Sequence, residues 1–481
     1  MNTIDETPRA GKATERRGPG LGALILAACL LSSCSESPTS DERAGAEAPP
    51  ADLPTASAGP PDVVLVSIDT LRADHLGSYG YPRPTSPHLD RLAARGIVFD
   101  RAMAHAPSTL PSHVSIFTST LPTEHRVMVS TESPLPDDLP TVAEVFLDAG
   151  YRTAAFHSGG QLTDDLSIDR GFEEWVHVGE AFAPIVEQGC EWLGSSTEPA
   201  FLFLHTYEIH HPYRPRPELL ALFDDGYAGP LPPNIEIDDH LRPINGQSEV
   251  ALEIDDRDLA YIVATYDAEL RSVDESIGRL VDCLEEQGRL DRTLFAITSD
   301  HGEEFGEHGW VGWHSHTLYD ELLHVPLILR LPGDREAGRR VRPAVRSIDI
   351  APTLLDATGI PAPDGFRGRS LLPLALGGAP GARPADTVAI SMRDHRGLVP
   401  GNISVRSSTH KLIGARLYDL VQDPRETVDV AAAAPDVATA LKVHRDAAIT
   451  LARPIRSGLA EGESRLDEQT LEELRALGYL E

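Results

Sequence analysis

The segment Asp62-Val-Val-Leu-Val-Ser-Ile-Asp69 is a run of bulky, mostly β-branched residues with almost no polar interruption. A strand solvated on one face alternates apolar and polar residues. A continuous run suits a strand covered on both faces, as in a parallel sheet. Parallel strands need crossovers, and the sequence offers helices to make them. One is predicted after Ser86 as N-cap, with Pro87 first, Leu89 and Leu92 on one face and Gly96 as the stop. Another begins near Pro111, and a third spans Thr141 to Ala149 before Gly150. Asp256 to Gln287 predicts a long amphipathic helix with Leu259, Ile262, Val263, Tyr266 and Leu270 on its apolar face. Strands are predicted at Arg152 to His157, Ala200 to His205, Thr293 to Thr298 and Val325 to Arg330. The alternation implies an α/β fold, a sheet sandwiched by helices. Such sheets bind ligands at the carboxyl ends of their strands, where Asp69, His205 and Asp300 fall.

Four segments are expected. Residues 1–33 read as a signal peptide, with basic Arg9, Lys12, Arg16 and Arg17 before an apolar run from Leu21 to Leu31 that is too short to span a bilayer. Leu31-Ser-Ser-Cys34 resembles a bacterial lipobox, which makes Cys34 the acylated first residue of the mature chain. Residues 34–61 are rich in Pro, Ala, Ser and acids and read as a disordered tether. The catalytic domain is expected over 62–383. A small α+β subdomain with an acidic helical tail is expected over 384–481. The expected location is the bacterial cell envelope, at the outer membrane or periplasm, with membrane contact through the lipid alone. Cys190 and Cys283 sit in helix-like segments and can form a disulfide or remain buried thiols.

With 42 Lys and Arg against 74 Asp and Glu, the net charge is -32, and no basic run follows the N-terminus. Nucleic-acid binding is not expected. An acidic protein that binds an anion needs a local positive charge, which a metal ion can supply. Asp69, Asp300 and His301 are suitable ligands for a divalent cation of intermediate hardness. Asp300-His301 belongs to the longer run Ser299-Asp-His-Gly-Glu-Glu-Phe-Gly-Glu-His-Gly309.

Val63 to Gly77 and Ser299 to Gly309 resemble the opening motif and the metal loop of the sulfatases and their relatives in the alkaline phosphatase superfamily. Tyr319 to Leu329, Asp349 to Gly359 and Leu417 to Thr427 are similar to further blocks of that family, in matching order over residues 62 to about 435. The resemblance implies a mixed sheet of the alkaline-phosphatase type. It also implies a metal-dependent hydrolase of sulfate, phosphate or phosphonate esters, acting on a small anionic ester that a glycan or lipid can carry. The family's nucleophile motif is Cys or Ser-x-Pro-Ser-Arg, its first residue oxidised to formylglycine in true sulfatases. This chain reads Thr109-Leu-Pro-Ser-His113. Thr109 takes the nucleophile's place and His113 that of the Arg. A secondary alcohol cannot become the aldehyde, so Thr109 resembles the superfamily branches that act on phosphorus.

The same resemblance makes His210 and His314 the catalytic imidazoles. His113, His211 and His316 become candidate substrate contacts, and Asp69, Thr109, Asp300 and His301 the metal ligands; Arg72, which follows Asp69 closely, is a further candidate that either touches the anion or merely pairs with acids. A second metal follows if His210 and His314 are ligands. Calcium sulfatases often have Asn where His301 stands and a second Asp where Thr70 stands, so manganese or zinc is favoured, with calcium the alternative. Two other readings stay open: a transferase that passes the group to a lipid or glycan, and an inactive binding protein that keeps the fold.

Overall fold

The computed structural model describes residues 59–128, 132–224, 226–378, 389–393, 399–454 and 464–477. The expected signal peptide, Cys34 and nearly all of the tether lie outside them, as does the expected boundary at 383/384. Eight strands form one sheet, in the spatial order Arg339–Val341, Ile97–Phe99, Leu327–Arg330, Thr293–Thr298, Asp62–Ile68, Ala200–Thr206, Arg152–His157 and Glu174–His177. Only Leu327–Arg330 runs against the others, so the sheet is mixed. Asp62–Ile68 is central, paired in parallel with Ala200–Thr206 and Thr293–Thr298.

The apolar run at 62–69 is explained by the two cores it serves. Val64, Val66 and Ile68 enter one cluster, packed under the helix Asp256–Glu286. Val63 and Leu65 enter the other, under the helices Thr109–Thr118 and Ile350–Thr358. Successive side chains point to opposite faces, so both faces must be apolar.

Three local expectations are corrected. Ser86 stands at the N-cap of the helix Pro87–Ala94, but its side chain makes no capping bond. Its hydroxyl accepts from Gly77 N–H instead, and the carboxylate of Asp274 takes the His88 and Leu89 N–H groups. The strand expected from Val325 to Arg330 is split into His324–Val325 and Leu327–Arg330 around Pro326, which has no N–H for a ladder. The helix expected near Pro111 starts at Thr109.

A four-stranded antiparallel sheet follows, Ala389–Met392, Ile403–Arg406, His410–Ile413 and Arg416–Asp419. The helix Pro435–Thr450 packs on it through Ala438 and Leu441. The last described helix, Glu468–Ala476, returns to the large domain, where Leu474 joins its core. Cys190 and Cys283 form a disulfide that ties the helix Phe182–Gly194 to Asp256–Glu286. No helix among the described residues is long and apolar enough to cross a membrane.

Candidate active site

Asp69 follows the central strand directly, and its N–H extends the ladder to Thr206 O. Its carboxylate therefore stands at the carboxyl edge of the sheet. Thr70, next along, adopts φ 55°, a left-handed conformation uncommon for a β-branched residue. Tyr266 holds it there, donating from its hydroxyl to Thr70 O at 2.9 Å. The Thr70 hydroxyl donates to Ile209 O.

Asp300 and His301 follow the neighbouring strand Thr293–Thr298. Ser299 fastens this edge to the first one: its hydroxyl accepts from Leu71 N–H and donates to His301 O. Gly302 is required by close approach, since a Cβ there would lie 2.0 Å from Glu321 O.

Thr109 is the first residue of its helix, with Ser108 as the N-cap. Its hydroxyl donates to Asp69 Oδ2 at 2.9 Å and lies 3.5 Å from His301 Nε2. The rest of the motif locks this helix end in place. Ser112 donates to Asp300 O at 2.6 Å, and His113 bonds Thr109 O and Ser67 Oγ, each at 2.9 Å. Gln161 accepts from Leu110 N–H at 2.8 Å.

The structure thus gathers Asp69, Thr109, Asp300 and His301, all fully buried. Ligand atoms of Asp69, Asp300 and His301 lie within 4.8 Å of one another. Asp69 Oδ1 and Asp300 Oδ2 are buried with no hydrogen-bond partner. Burial, then the neighbouring Asp300, push the Asp69 carboxyl well above its ordinary pKa. Burial also opposes ionisation of Asp300, but His301 and His113 outweigh it and hold that carboxyl below its ordinary value. Two buried carboxylates facing one another, each with an unsatisfied oxygen, fit a cation between them.

A second group lies alongside. Nitrogens of His210, His211 and His314 fall within 4.8 Å of one another, and the His314 ring centroid is 4.5 Å from that of His301. Ser315 brings His314 there, donating from both its N–H and its hydroxyl to Pro107 O, two residues before Thr109. Glu303, fully buried, receives His314 Nδ1 at 3.1 Å and faces His211 Nδ1 at 3.5 Å. Burial, then the adjacent imidazoles, hold His210 and His314 well below the ordinary imidazole pKa, so their rings are neutral.

Three of the expected substrate contacts have other partners in the structure. Arg72 is buried and held by acids: Nε and Nη2 donate to Asp74, and Nη1 to Glu307 and Glu303 O. These partners take four of its five N–H donors. His113 spends both nitrogens on Thr109 O and Ser67 and positions the helix. His316 stacks on Trp310 at 4.2 Å and stays outside both groups. His211 stands within the second group, with Nε2 on Leu477 O at 3.2 Å.

Sequence reasoning did not assign roles to Glu303, Tyr207 or Gln161. Glu303 lay inside the quoted metal loop, but nothing in that loop marks which acid turns inward. Tyr207 hydrogen-bonds Thr109, a contact between elements that no local pattern announces.

The sulfatase family profile matches residues 61–360, and the profile of the N-sulphoglucosamine sulphohydrolase C-terminal region matches residues 306–447. The chain belongs to the sulfatase family, hydrolases of ester bonds. An ulvan-active sulfatase of Formosa agariphila is 25% identical over 380 residues, 73% of this chain and 69% of the relative. A multifunctional alkaline phosphatase superfamily protein of Trinickia caryophylli is 25% identical, over 66% of this chain and 78% of the relative. The crystal structure of a phosphonate monoester hydrolase of Agrobacterium radiobacter superposes with a TM-score of 0.65 at 22% identity, covering 81% of this chain and 95% of that one.

Proposed function

We propose that this protein hydrolyses small anionic esters through a covalent Thr109 intermediate, and that it turns over phosphate or phosphonate esters faster than matched sulfates. One observation carries the reading. The Thr109 hydroxyl stands at the first turn of a buried helix, 2.9 Å from Asp69 Oδ2 and beside Asp300 and His301. A cation held by Asp69, Asp300, His301 and Thr109 would supply Lewis-acid polarisation of the ester and a lower pKa for the hydroxyl. The chain's own residues do the rest. Asp69 aligns Thr109 Oγ1 by accepting its hydrogen bond, and the helix N-terminus favours the anionic group. Thr109 Oγ1 attacks as its proton passes to Asp69 Oδ2, and the ester oxygen leaves. His210 or His314 gives that oxygen its proton. Burial favours the neutral form of each ring, and an arriving anion favours the protonated one. Glu303 orients the His314 ring through Nδ1. Water then cleaves the Thr109 adduct.

The preference for phosphorus rests on residue 109. A formylglycine hydrate expels sulfate by collapsing to the aldehyde. A threonine adduct has no such exit and must be cleaved by water at sulfur or phosphorus. The decisive assay presents one leaving group as sulfate, phosphate monoester and phosphodiester, with manganese, zinc or calcium added. Higher kcat/KM for the sulfate would overturn the preference. Transfer to a lipid or glycan is the second outcome, read from products formed with and without added acceptors. The His210, His211 and His314 group favours a second cation as the alternative to proton donation, and metal content separates the two. Residues 62–383 serve as the catalytic part. Cys34 anchors the chain in the cell envelope, a location with which the Cys190–Cys283 disulfide agrees. Cys34→Ala should move the protein from the membrane fraction to the soluble one.

A further inference from the structure

A cavity of about 380 Å³ opens beside the second histidine group, and Tyr207 and His210 line it. Tyr207 also hydrogen-bonds Thr109, and His210 also packs against His314. Tyr207 and His210 are therefore the wall that the cavity shares with the reacting centre, on the side of the proposed proton donor. Its far wall is the helix Asp256–Glu286, which contributes Glu269, Ser272 and Ser276.

Glu269 is the unusual residue. It is only 6% exposed, and its Oε2 is buried with no hydrogen-bond partner. Its Oε1 accepts from Arg214 N–H at 2.5 Å, which leaves Oε2 as the unsatisfied atom. Burial, and the nearby Glu208 and Glu180, push this carboxyl well above its ordinary pKa, with only Arg214 opposing through its backbone and charge. Two arginines share the lining, but their guanidinium groups turn outwards: Arg214 onto Glu236 and Arg216 onto Glu275, with side chains 51% and 42% exposed. Arg279 is exposed. Glu180, like the three arginines, is exposed, so the inner wall presents Glu208 and Glu269 and lacks a buried countercharge. A buried carboxyl costs least when a cationic donor reaches it.

We propose that this cavity receives the leaving group of the ester and selects leaving groups that carry a protonated amine, with Glu269 as the residue that takes the ammonium. The inference rests on the ester-hydrolase reading and extends it to the substrate's other half. The amine can belong to an amino alcohol or an amino sugar, and the assay separates these sources.

The test compares four phosphate esters with the metal-loaded full chain: 2-aminoethyl, 2-hydroxyethyl, glucosamine 6- and glucose 6-phosphate. The wild type should favour an amine ester over its neutral partner by about tenfold in kcat/KM, the scale of one desolvated charge-assisted hydrogen bond. Whichever amine ester shows this names the source. Glu269→Gln should bring that ratio to about one. A ratio near one in the wild type, or one that persists in the variant, overturns the proposal. If Glu269→Gln does not fold, Ser272→Phe fills the same cavity and should collapse the ratio equally. Calorimetry with free 2-aminoethanol keeps the two readings distinguishable. If no ester turns over, binding of 2-aminoethanol at least about tenfold tighter than ethylene glycol, lost in the variant, supports the cavity while the hydrolase reading falls. Equal binding overturns both.

Discussion

Thr109 Oγ1 donates a 2.9 Å hydrogen bond to Asp69 Oδ2 across 40 residues of sequence, with both side chains fully buried. The bond joins the start of a helix to the end of the central strand. Thr109→Ala removes the proposed nucleophile and leaves Asp69 one donor short. Turnover should fall by at least about 10³-fold, while stability changes by only about 1–2 kcal/mol. Thr109→Ser keeps the hydroxyl and should retain measurable turnover. Steady-state kinetics alongside thermal unfolding checks both, and an Ala variant within tenfold of wild type would rule out the covalent route.

Dialysis against a chelator should abolish activity, and manganese or zinc should restore it better than calcium. His301→Asn exchanges an imidazole for a hard oxygen ligand and should shift the preference towards calcium. Metal analysis of the purified protein should give at least one equivalent. A second equivalent, lost on His314→Ala, would assign the His210, His211 and His314 group to a cation. A metal-free protein inactive on every ester class would instead mark an inactive binding protein.

Lys411 is almost completely buried, and its ammonium reaches Asp320 at 2.9 Å and Glu426 at 3.2 Å. The three residues join the block at 319–329 to the four-stranded sheet and the block at 417–427. Lys411→Met strands buried acids and should cost about 3–5 kcal/mol in urea unfolding. Adding Glu426→Gln should recover part of that loss. A change below about 0.5 kcal/mol in the single variant would show that the junction does not depend on this ion pair.

Burial lowers the pKa of His105 to about 4, and of His125 and His157 to about 3, from the ordinary 6.5. Below pH 6.5 the unfolded chain takes up protons that the folded chain refuses. The stability these groups provide is therefore full above that pH. It should fall as the pH drops towards 4, by up to about 1.4 kcal/mol per pH unit for each group. Urea midpoints between about pH 7 and about pH 5 test this. His105→Gln should flatten the slope, and an unchanged slope would contradict the assignment.

Local sequence determined much of the frame. The apolar run at 62–68, the strands Arg152–His157 and Thr293–Thr298, and the long helix within one residue of its end were all legible. Each depends on periodicity and capping within a few neighbouring residues. The gathering of Asp69, Thr109, Asp300 and His301 was also legible, because motif blocks mark strand ends and strand ends meet at one edge of a sheet. What a side chain does once there was decided by tertiary contacts. Arg72 and His113 look like anion contacts in sequence, yet one is held by Asp74 and Glu307 and the other by Thr109 O and Ser67. Glu303 and Glu269 look like ordinary acids of an acidic chain. One turns inward onto His314, and the other is left with an unsatisfied oxygen on a cavity wall. Sequence spacing sets which edge a residue reaches. Partner, burial and charge environment come from elements far apart in the chain, and they exist only once the sheet has assembled.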